Sequence, residues 1–438
     1  MLLYAICMTA TSYLPQVKKQ YEHFPYPPRN PEDERRHLRA TVTDCLDALN
    51  HHAYGGMRNF HKNFRTLVAG GGTGDSAICL AEQLRDTDAR IVYLDMSKAS
   101  MEVAQARAGV RGLSNIEWVN GSLLDLPMMN FGQFDYINCS GVLHHLQNPE
   151  AGLAALEQVL APGGAMGIML YGKIGRTAIY QMQEVLRLLS GDVSDAEKLD
   201  MCKRVLSQLP ETNWFNHSKN WFYDYRNGDA AMYDLLLHSQ DRAYSIPELY
   251  EYVGSAGLKI AAFIGPNFCE PQYSIKDPAL LAQLKSMPVK KQYAIGELLN
   301  GTSKTHTFYA VRDVIPPPTA DNLDMIPSMT ITTLPDIYEG LYNIAKTGAK
   351  GIVCKTESRT VRVPHHPQLA AILKCMDGKR TLREIFQQAM IQSKASRSEL
   401  QDAFRHLYAI LAPAQMLFMR HKDVPAYKTT QEIQARFK

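Results

Sequence analysis

The sequence predicts an α/β protein built on a doubly wound parallel sheet, with a helical insertion and a small C-terminal module. Three observations predict it. A glycine-rich turn, Gly70-Gly71-Gly72-Thr73-Gly74-Asp75, stands between an aliphatic strand and an amphipathic helix. Strand-like runs then alternate with helical ones as far as residue 171. A proline run, Ile315-Pro316-Pro317-Pro318, separates this region from a shorter helix-rich stretch.

Size and composition narrow the function classes. A chain of 438 residues with 45% apolar content holds two to three domains and a substantial core. Net charge is +3 and basic residues adjoin only in pairs, such as Lys18-Lys19, which argues against a nucleic-acid binder. Eight scattered cysteines without a CxxC pair suit reduced thiols and a cytoplasmic location. The pairs His51-His52, His144-His145 and His365-His366 lack cysteine or HExxH context, so no metal site is expected. The apolar opening Met1-Leu2-Leu3-Tyr4-Ala5-Ile6-Cys7 is too short and uncharged for a signal peptide, and no run is long enough to span a membrane.

The elements follow in order. Residues 20–31 alternate prolines with aromatics, which forbids helix and suits a stiff flap over an apolar site. Residues 32–50 carry apolar Leu38, Val42, Leu46 and Leu49 at helical spacing and predict an amphipathic helix. The glycine loop meets two ligand spacings. Gly70 and Gly72 fit the first positions of a dinucleotide G-x-G-x-x-G/A turn, but Asp75 occupies the third. Gly70, Gly72 and Gly74 fit G-x-G-x-G. The second strand ends at Asp95, whose carboxylate can accept both hydroxyls of a ribose; Ser97 caps the following helix. A third strand leads into Gly121-Ser122-Leu123-Leu124-Asp125-Leu126-Pro127, and a fourth, ending at Ser140, leads into Gly141-Val142-Leu143-His144-His145-Leu146. His144 and His145 therefore stand at the carboxyl edge of the sheet, where ligands lie. After a helix, Ala161-Pro162-Gly163-Gly164 is a strong stop before the fifth strand.

This series resembles the class I S-adenosylmethionine-dependent methyltransferases over residues 64–171, particularly in its LHHL and APGG segments. The resemblance implies a Rossmann-like sheet and S-adenosyl-L-methionine as cofactor. It implies that Gly70, Gly72 and Gly74 back the methionine part and that Asp95 holds the ribose. Met96 and Leu123 would sandwich the adenine, with Ser122 at its edge and Ser140 nearby. Val68 stands where the family usually carries an acid. Residues 172–244 exceed the single helix the family places there and form the insertion, whose aromatics Trp214, Phe215, Trp221, Phe222, Tyr223 and Tyr225 read as core or as a substrate groove.

Two further segments, Tyr21-Glu22-His23-Phe24-Pro25-Tyr26-Pro27-Pro28 and Leu235-Leu236-Leu237-His238-Ser239-Gln240-Asp241-Arg242-Ala243-Tyr244-Ser245, resemble the bacterial protein-lysine methyltransferases of the rickettsial outer-membrane-protein type. That resemblance implies that Tyr21, Tyr26, His238 and Arg242 line the substrate entrance. His144, His145, Tyr26, His238 and Arg242 are thus the catalytic candidates. The expected domains are a flap and helix at 1–63, a methyltransferase domain at 64–313 closing on an antiparallel strand pair, and a module at 319–438. In the last, a ribbon near 352–363 and three helices suggest a winged-helix-like shape for protein contact or homodimerisation. The expected activity is methyl transfer to a protein amine, lysine; the alternatives are a small-molecule O-, N- or C-acceptor, or a non-catalytic interaction module.

Overall fold

The computed structural model describes residues 15–219, 222–265, 269–329, 342–343, 346–347, 351–355 and 360–435. The apolar opening at 1–7 and Trp221 lie outside the described residues.

Strands β1 (Arg65–Ala69), β2 (Arg90–Asp95), β3 (Ile116–Asn120), β4 (Phe134–Ser140) and β5 (Leu160–Gly172) run parallel. A two-residue strand, β6 (Ala243–Tyr244), pairs in parallel with the end of β5. Strands β7 (Lys259–Phe263) and β8 (Thr305–Val311) complete the sheet, β8 lying antiparallel between β5 and β7. The order is β3-β2-β1-β4-β5-β8-β7. It reverses direction between β1 and β4, which opens a crevice at the carboxyl ends of those strands. Both faces of the sheet are covered, as period-2 alternation requires: Leu67, Val92 and Leu94 enter one apolar core, and Val68, Ile91 and Tyr93 enter the other.

Helix α1 (Pro15–His23) takes in residues 20–23 of the segment expected to be non-helical, because its first proline is Pro25 and the chain before it is free to coil; α2 (Leu46–Ala53) precedes β1, and α3 (Asp75–Gln83) and α4 (Lys98–Arg111) follow β1 and β2. The single helix predicted over 32–50 does not form. Two short 3-10 turns, Pro31–Arg35 and Val42–Asp44, take its place before α2. Tertiary contacts override the helical pattern there. Glu34 is drawn into a buried ion-pair network with Arg107 and Arg111 of α4. Asp44 is drawn under β4, where it accepts hydrogen bonds from Tyr136 (3.1 Å) and Asn138 (2.9 Å).

Helix α5 (Pro149–Gln158) joins β4 to β5. The insertion folds as α6 (Thr177–Ser190), α7 (Asp195–Ser207), α8 (Trp214–Ser218) and α9 (Asp229–Leu236) around its own small core. Phe215 and Phe222 stack in that core, whereas Trp214 is exposed. Helix α10 (Ile246–Ser255) leads to β7, and Pro288 divides the helical stretch before β8 into α11 (Pro278–Lys285) and α12 (Val289–Asn300).

Beyond the proline run, β9 (Met325–Ser328) pairs antiparallel with a late strand, Phe418–His421, and a hairpin, Gly351–Lys355 with Thr360–Pro364, precedes helices Leu369–Cys375, Leu382–Ser393 and Arg397–Leu411. This module docks on α2. His51 Nδ1 accepts the Met419 N–H (3.0 Å), His52 Nε2 bonds Gln415 Oε1 (2.9 Å), and His421 N–H donates to the Gly56 carbonyl (2.9 Å). Among the described residues, no helix is long and apolar enough to cross a membrane.

Candidate active site

The glycine loop turns sharply at the end of β1, with Gly70 at φ +78° and Gly72 at φ +50°. Side chains are disfavoured there both by the left-handed backbone and by space, because a Cβ on Gly72 would lie 2.7 Å from the Tyr26 carbonyl oxygen. Asp95, at the end of β2, closes the loop. Its Oδ2 accepts the Gly72 N–H and its Oδ1 accepts the Ser97 N–H, each at 2.7 Å. Burial pushes the Asp95 carboxyl above its ordinary range, against the pull of these N–H donors.

Loop and acid open onto a cavity of about 470 Å³. Gly70, Gly72, Asp95, Met96, Ser122, Leu123 and Ser140 line it, as do Tyr26 and His145. All of these are candidates that the sequence singles out. The residues fit an adenosyl ligand on structural grounds: a bare-backbone cradle, a strand-end carboxylate facing the cavity, and apolar Met96 and Leu123 beside it.

The N-terminal segment roofs this cavity. Thr73 Oγ1 donates to the Pro27 carbonyl (2.6 Å), and Ser97 Oγ donates to the Tyr21 carbonyl (3.1 Å). Glu22 accepts the Lys98 and Ala99 N–H groups at the start of α4, at 2.8 and 3.1 Å, where the helix dipole favours an anion. Arg29 grips Asp75 with Nε and Nη2, its shortest bond being 2.6 Å, and Arg107 Nη1 holds the same carboxylate at 2.7 Å. Burial pushes Asp75 up, but the hydrogen bonds and charges of the two arginines outweigh it and hold the carboxyl below its ordinary range. Asp75, legible in the sequence only as a misfit in a dinucleotide turn, is the anchor of the flap.

At the far end, Tyr21, His145, Asp234 and His238 meet. The Tyr21 hydroxyl lies 3.3 Å from both Asp234 Oδ1 and His238 Nε2, and the His145 and His238 rings stack at 3.8 Å. Their backbone partners assign the tautomers. His145 Nδ1 faces the Gln240 carbonyl at 2.8 Å and so carries a proton, leaving Nε2 with a lone pair. His238 Nδ1 accepts the Gln240 N–H at 3.1 Å, so its proton is on Nε2 and points to Tyr21. The chain His238 Nε2–H to Tyr21 O–H to Asp234 is complete. The potential ligand atoms of His145, Asp234 and His238 lie within 4.8 Å of one another. The proton on His238 Nε2 and the near-parallel stacking of the two imidazoles suit proton handling better than a metal ion. Burial lowers His145 to about 4 and lowers His238 well below its ordinary value. Burial and the nearby Asp234 raise Tyr21.

Four predicted site residues do not line the cavity, and of these His238 stands behind Tyr21, 3.3 Å from its hydroxyl. Gly74 caps α3 at φ +100°, and a Cβ there would meet Ala104 at 2.7 Å, so it packs α3 against α4 rather than lining the cavity. Arg242 is half exposed and pairs with Glu150 at 3.0 Å on the surface. His144 sits one layer behind the wall, fully buried and stacked on Tyr171. The cavity also takes Arg29, Asn138, Tyr171, Arg176 and Asp234, none of which the sequence singles out as a site residue.

A family model described as a methyltransferase domain matches residues 67–166. The chain thus carries a class I S-adenosylmethionine-dependent methyltransferase domain, on a mixed sheet of the Rossmann-like type. A structure of PKMT2 from Rickettsia typhi shares the fold with a TM-score of 0.63 at 16% identity, covering 87% of this chain and 76% of that one. The same protein in complex with AdoHcy matches with a TM-score of 0.63 at 15% identity, covering 86% and 76%. An uncharacterized protein from Synechococcus sp. is 33% identical over 260 residues, which is 58% of this chain and 61% of that protein's length. The ubiquinone biosynthesis O-methyltransferase of Escherichia coli is 23% identical over 192 residues, covering 42% of this chain and 77% of that one.

Proposed function

We propose that this protein transfers a methyl group from S-adenosyl-L-methionine to a protein side-chain amine, lysine. The observation that carries the reading is one cavity with a glycine cradle at one end and a buried carboxylate–tyrosine–histidine chain at the other. Gly70, Gly72, Asp95, Met96, Ser122, Leu123 and Ser140 would hold the cofactor. When bound, it supplies an electrophilic methyl on a sulfonium, which an acceptor lone pair takes as the sulfur–carbon bond breaks.

The chain's own residues supply alignment, a dry site and proton handling. A lysine arrives as an ammonium and has no lone pair until it loses a proton. Asp234 attracts that cation into the pocket and, bonded by Tyr21, receives the proton. His145 and His238 stay neutral, so they add no positive charge against the incoming amine. Leu235, Ala231 and Met169 offer an apolar wall to the four-carbon stem. The flap over the loop excludes water from the methyl. The fold shared with PKMT2 over most of the chain agrees with this reading.

A small-molecule acceptor is the second reading, favoured by the resemblance to the Escherichia coli O-methyltransferase. Incubation with methyl-labelled cofactor and a cell extract, split into protein and small-molecule fractions, separates the two. We expect label on protein, at amines. Label confined to small molecules would overturn the lysine reading.

A further inference from the structure

We propose that Tyr171 is a further catalytic residue of this site, its hydroxyl positioning the acceptor nitrogen, with Arg176 and His144 as the residues that position Tyr171. The inference rests on the amine reading above. Tyr171 stands near the end of β5 and lines the cavity alongside Tyr21 and Asp234. Among the described residues its hydroxyl makes no hydrogen bond, so its bonding capacity is open toward the cavity.

The ring is clamped. The Arg176 guanidinium carbon lies 3.5 Å from the centre of the Tyr171 ring, and the His144 ring lies 3.7 Å from it at 26°. Two groups at such distances fit only on opposite faces. His145 adds an edge contact, at 90° and 5.5 Å. The clamp is built at the expense of polar satisfaction. Arg176 is 3% exposed, its Nη2 reaches Asp241 at 3.2 Å, and its Nε has no partner. His144 is fully buried with neither ring nitrogen bonded. Buried polar groups are normally paired, so their burial against this one ring calls for an explanation, and fixing the direction of its hydroxyl supplies one. The backbone is fixed as well. Tyr171 pairs with Ala243 where the insertion returns to the sheet, and the Arg242 N–H donates to the His144 carbonyl at 2.9 Å.

A neutral amine has one lone pair and two N–H bonds. The Tyr171 oxygen accepts one N–H, which directs the lone pair along the line of transfer. The phenol keeps its proton throughout, consistent with burial raising its pKa well above the ordinary value. No atom passes to or from Tyr171, and the amine's departing proton goes to Asp234.

The test uses the full chain, methyl-labelled cofactor, extract protein as acceptor, and calorimetry with S-adenosylhomocysteine. Tyr171→Phe keeps the clamped ring and loses the hydroxyl. It should lower kcat about a hundredfold, with S-adenosylhomocysteine affinity unchanged within about twofold and a folded circular dichroism spectrum. Arg176→Met should cost a similar factor alone and little more in the Tyr171→Phe background, because it acts through the same hydroxyl. Arg176→Lys keeps a cation over the ring and should recover part of the loss. Calorimetric titration of n-butylamine into the S-adenosylhomocysteine complex should show weaker binding in Tyr171→Phe than in wild type. Equal protein labelling by wild type and Tyr171→Phe would overturn the role of Tyr171, as would loss of S-adenosylhomocysteine binding in that variant. Wild type that labels no protein would instead overturn the amine reading.

Discussion

Asp75 and Asp95 flank the same glycine loop, yet their partners give them different work. Asp75 also lines the cavity, but its carboxylate is taken up by Arg29 and Arg107. Asp95 spends one lone pair of each oxygen on a backbone N–H, at Gly72 and Ser97, and keeps its carboxylate on the cavity wall. Asp95→Ala removes a ribose acceptor and unties the loop together. Two hydrogen bonds to a charged group correspond to at least about 3 kcal/mol, or a loss of cofactor affinity of roughly 150-fold or more. Isothermal titration with S-adenosylhomocysteine reads this directly, and wild-type affinity in the variant would remove Asp95 from the cofactor site. Arg242 offers the opposite check. Its half-exposed pair with Glu150 lies outside the cavity, so Arg242→Ala should leave the methylation rate within about twofold, as surface ion pairs contribute little. A large loss of rate would restore the role that sequence resemblance suggested for it.

Among the elements, the flap is where sequence and structure meet most productively. Arg29 is its chief latch, two nitrogens of one guanidinium on a carboxylate that is itself mostly buried. Arg29→Ala leaves Asp75 paired with Arg107, so the loop stays folded, but the flap loses its strongest tie to it. With about 2 kcal/mol removed from the closed state, dissociation of S-adenosylhomocysteine should quicken about 30-fold while the unfolding midpoint moves little. Stopped-flow displacement by excess unlabelled ligand measures the rate, and an unchanged rate would mean the flap does not gate exchange. The alternating proline–aromatic pattern announced a flap, and period-2 runs ending in Gly, Asp95 and Ser140 announced the strands, because those signals are local. The helix expected over 32–50 failed for the converse reason. Glu34 and Asp44 are claimed by Arg107, Arg111 and Asn138, far along the chain. Asp234, Tyr171 and Arg176 were illegible as site residues on the same account, since only the folding of the insertion onto β5 brings them to the cavity.

In the whole molecule, the C-terminal module is joined to the methyltransferase domain through a neutral histidine. His51 Nδ1 accepts the Met419 N–H, which it can do only while that nitrogen is unprotonated. Burial, then the neighbouring His52, lower the pKa of His51 well below its ordinary value. His144, His145 and His238 are lowered by burial as well, His145 from 6.5 to about 4. In the unfolded chain these rings take up protons near pH 6.5, whereas in the folded protein they resist until much lower pH. Between those limits the unfolded state binds more protons, so stability is full above about pH 6.5 and falls as the pH drops toward 4. A fully shifted ring contributes about 1.4 kcal/mol per pH unit in that window, enough for several together to dominate the acid sensitivity of the fold. We therefore expect the melting temperature to be level from pH 7 to 8 and to fall by many degrees by pH 5. The module should also come away first. Protonated His51 would confront the Met419 N–H with a second N–H at the contact that joins the module to α2. Differential scanning calorimetry should show one transition at pH 7.5 and an early shoulder near pH 5. His51→Gln supplies the discriminating arm: its amide oxygen can accept the Met419 N–H at any pH, so the shoulder should vanish even though the transition midpoint still declines with the other histidines. A shoulder that persists in His51→Gln would show that acid loosens the module at some other contact.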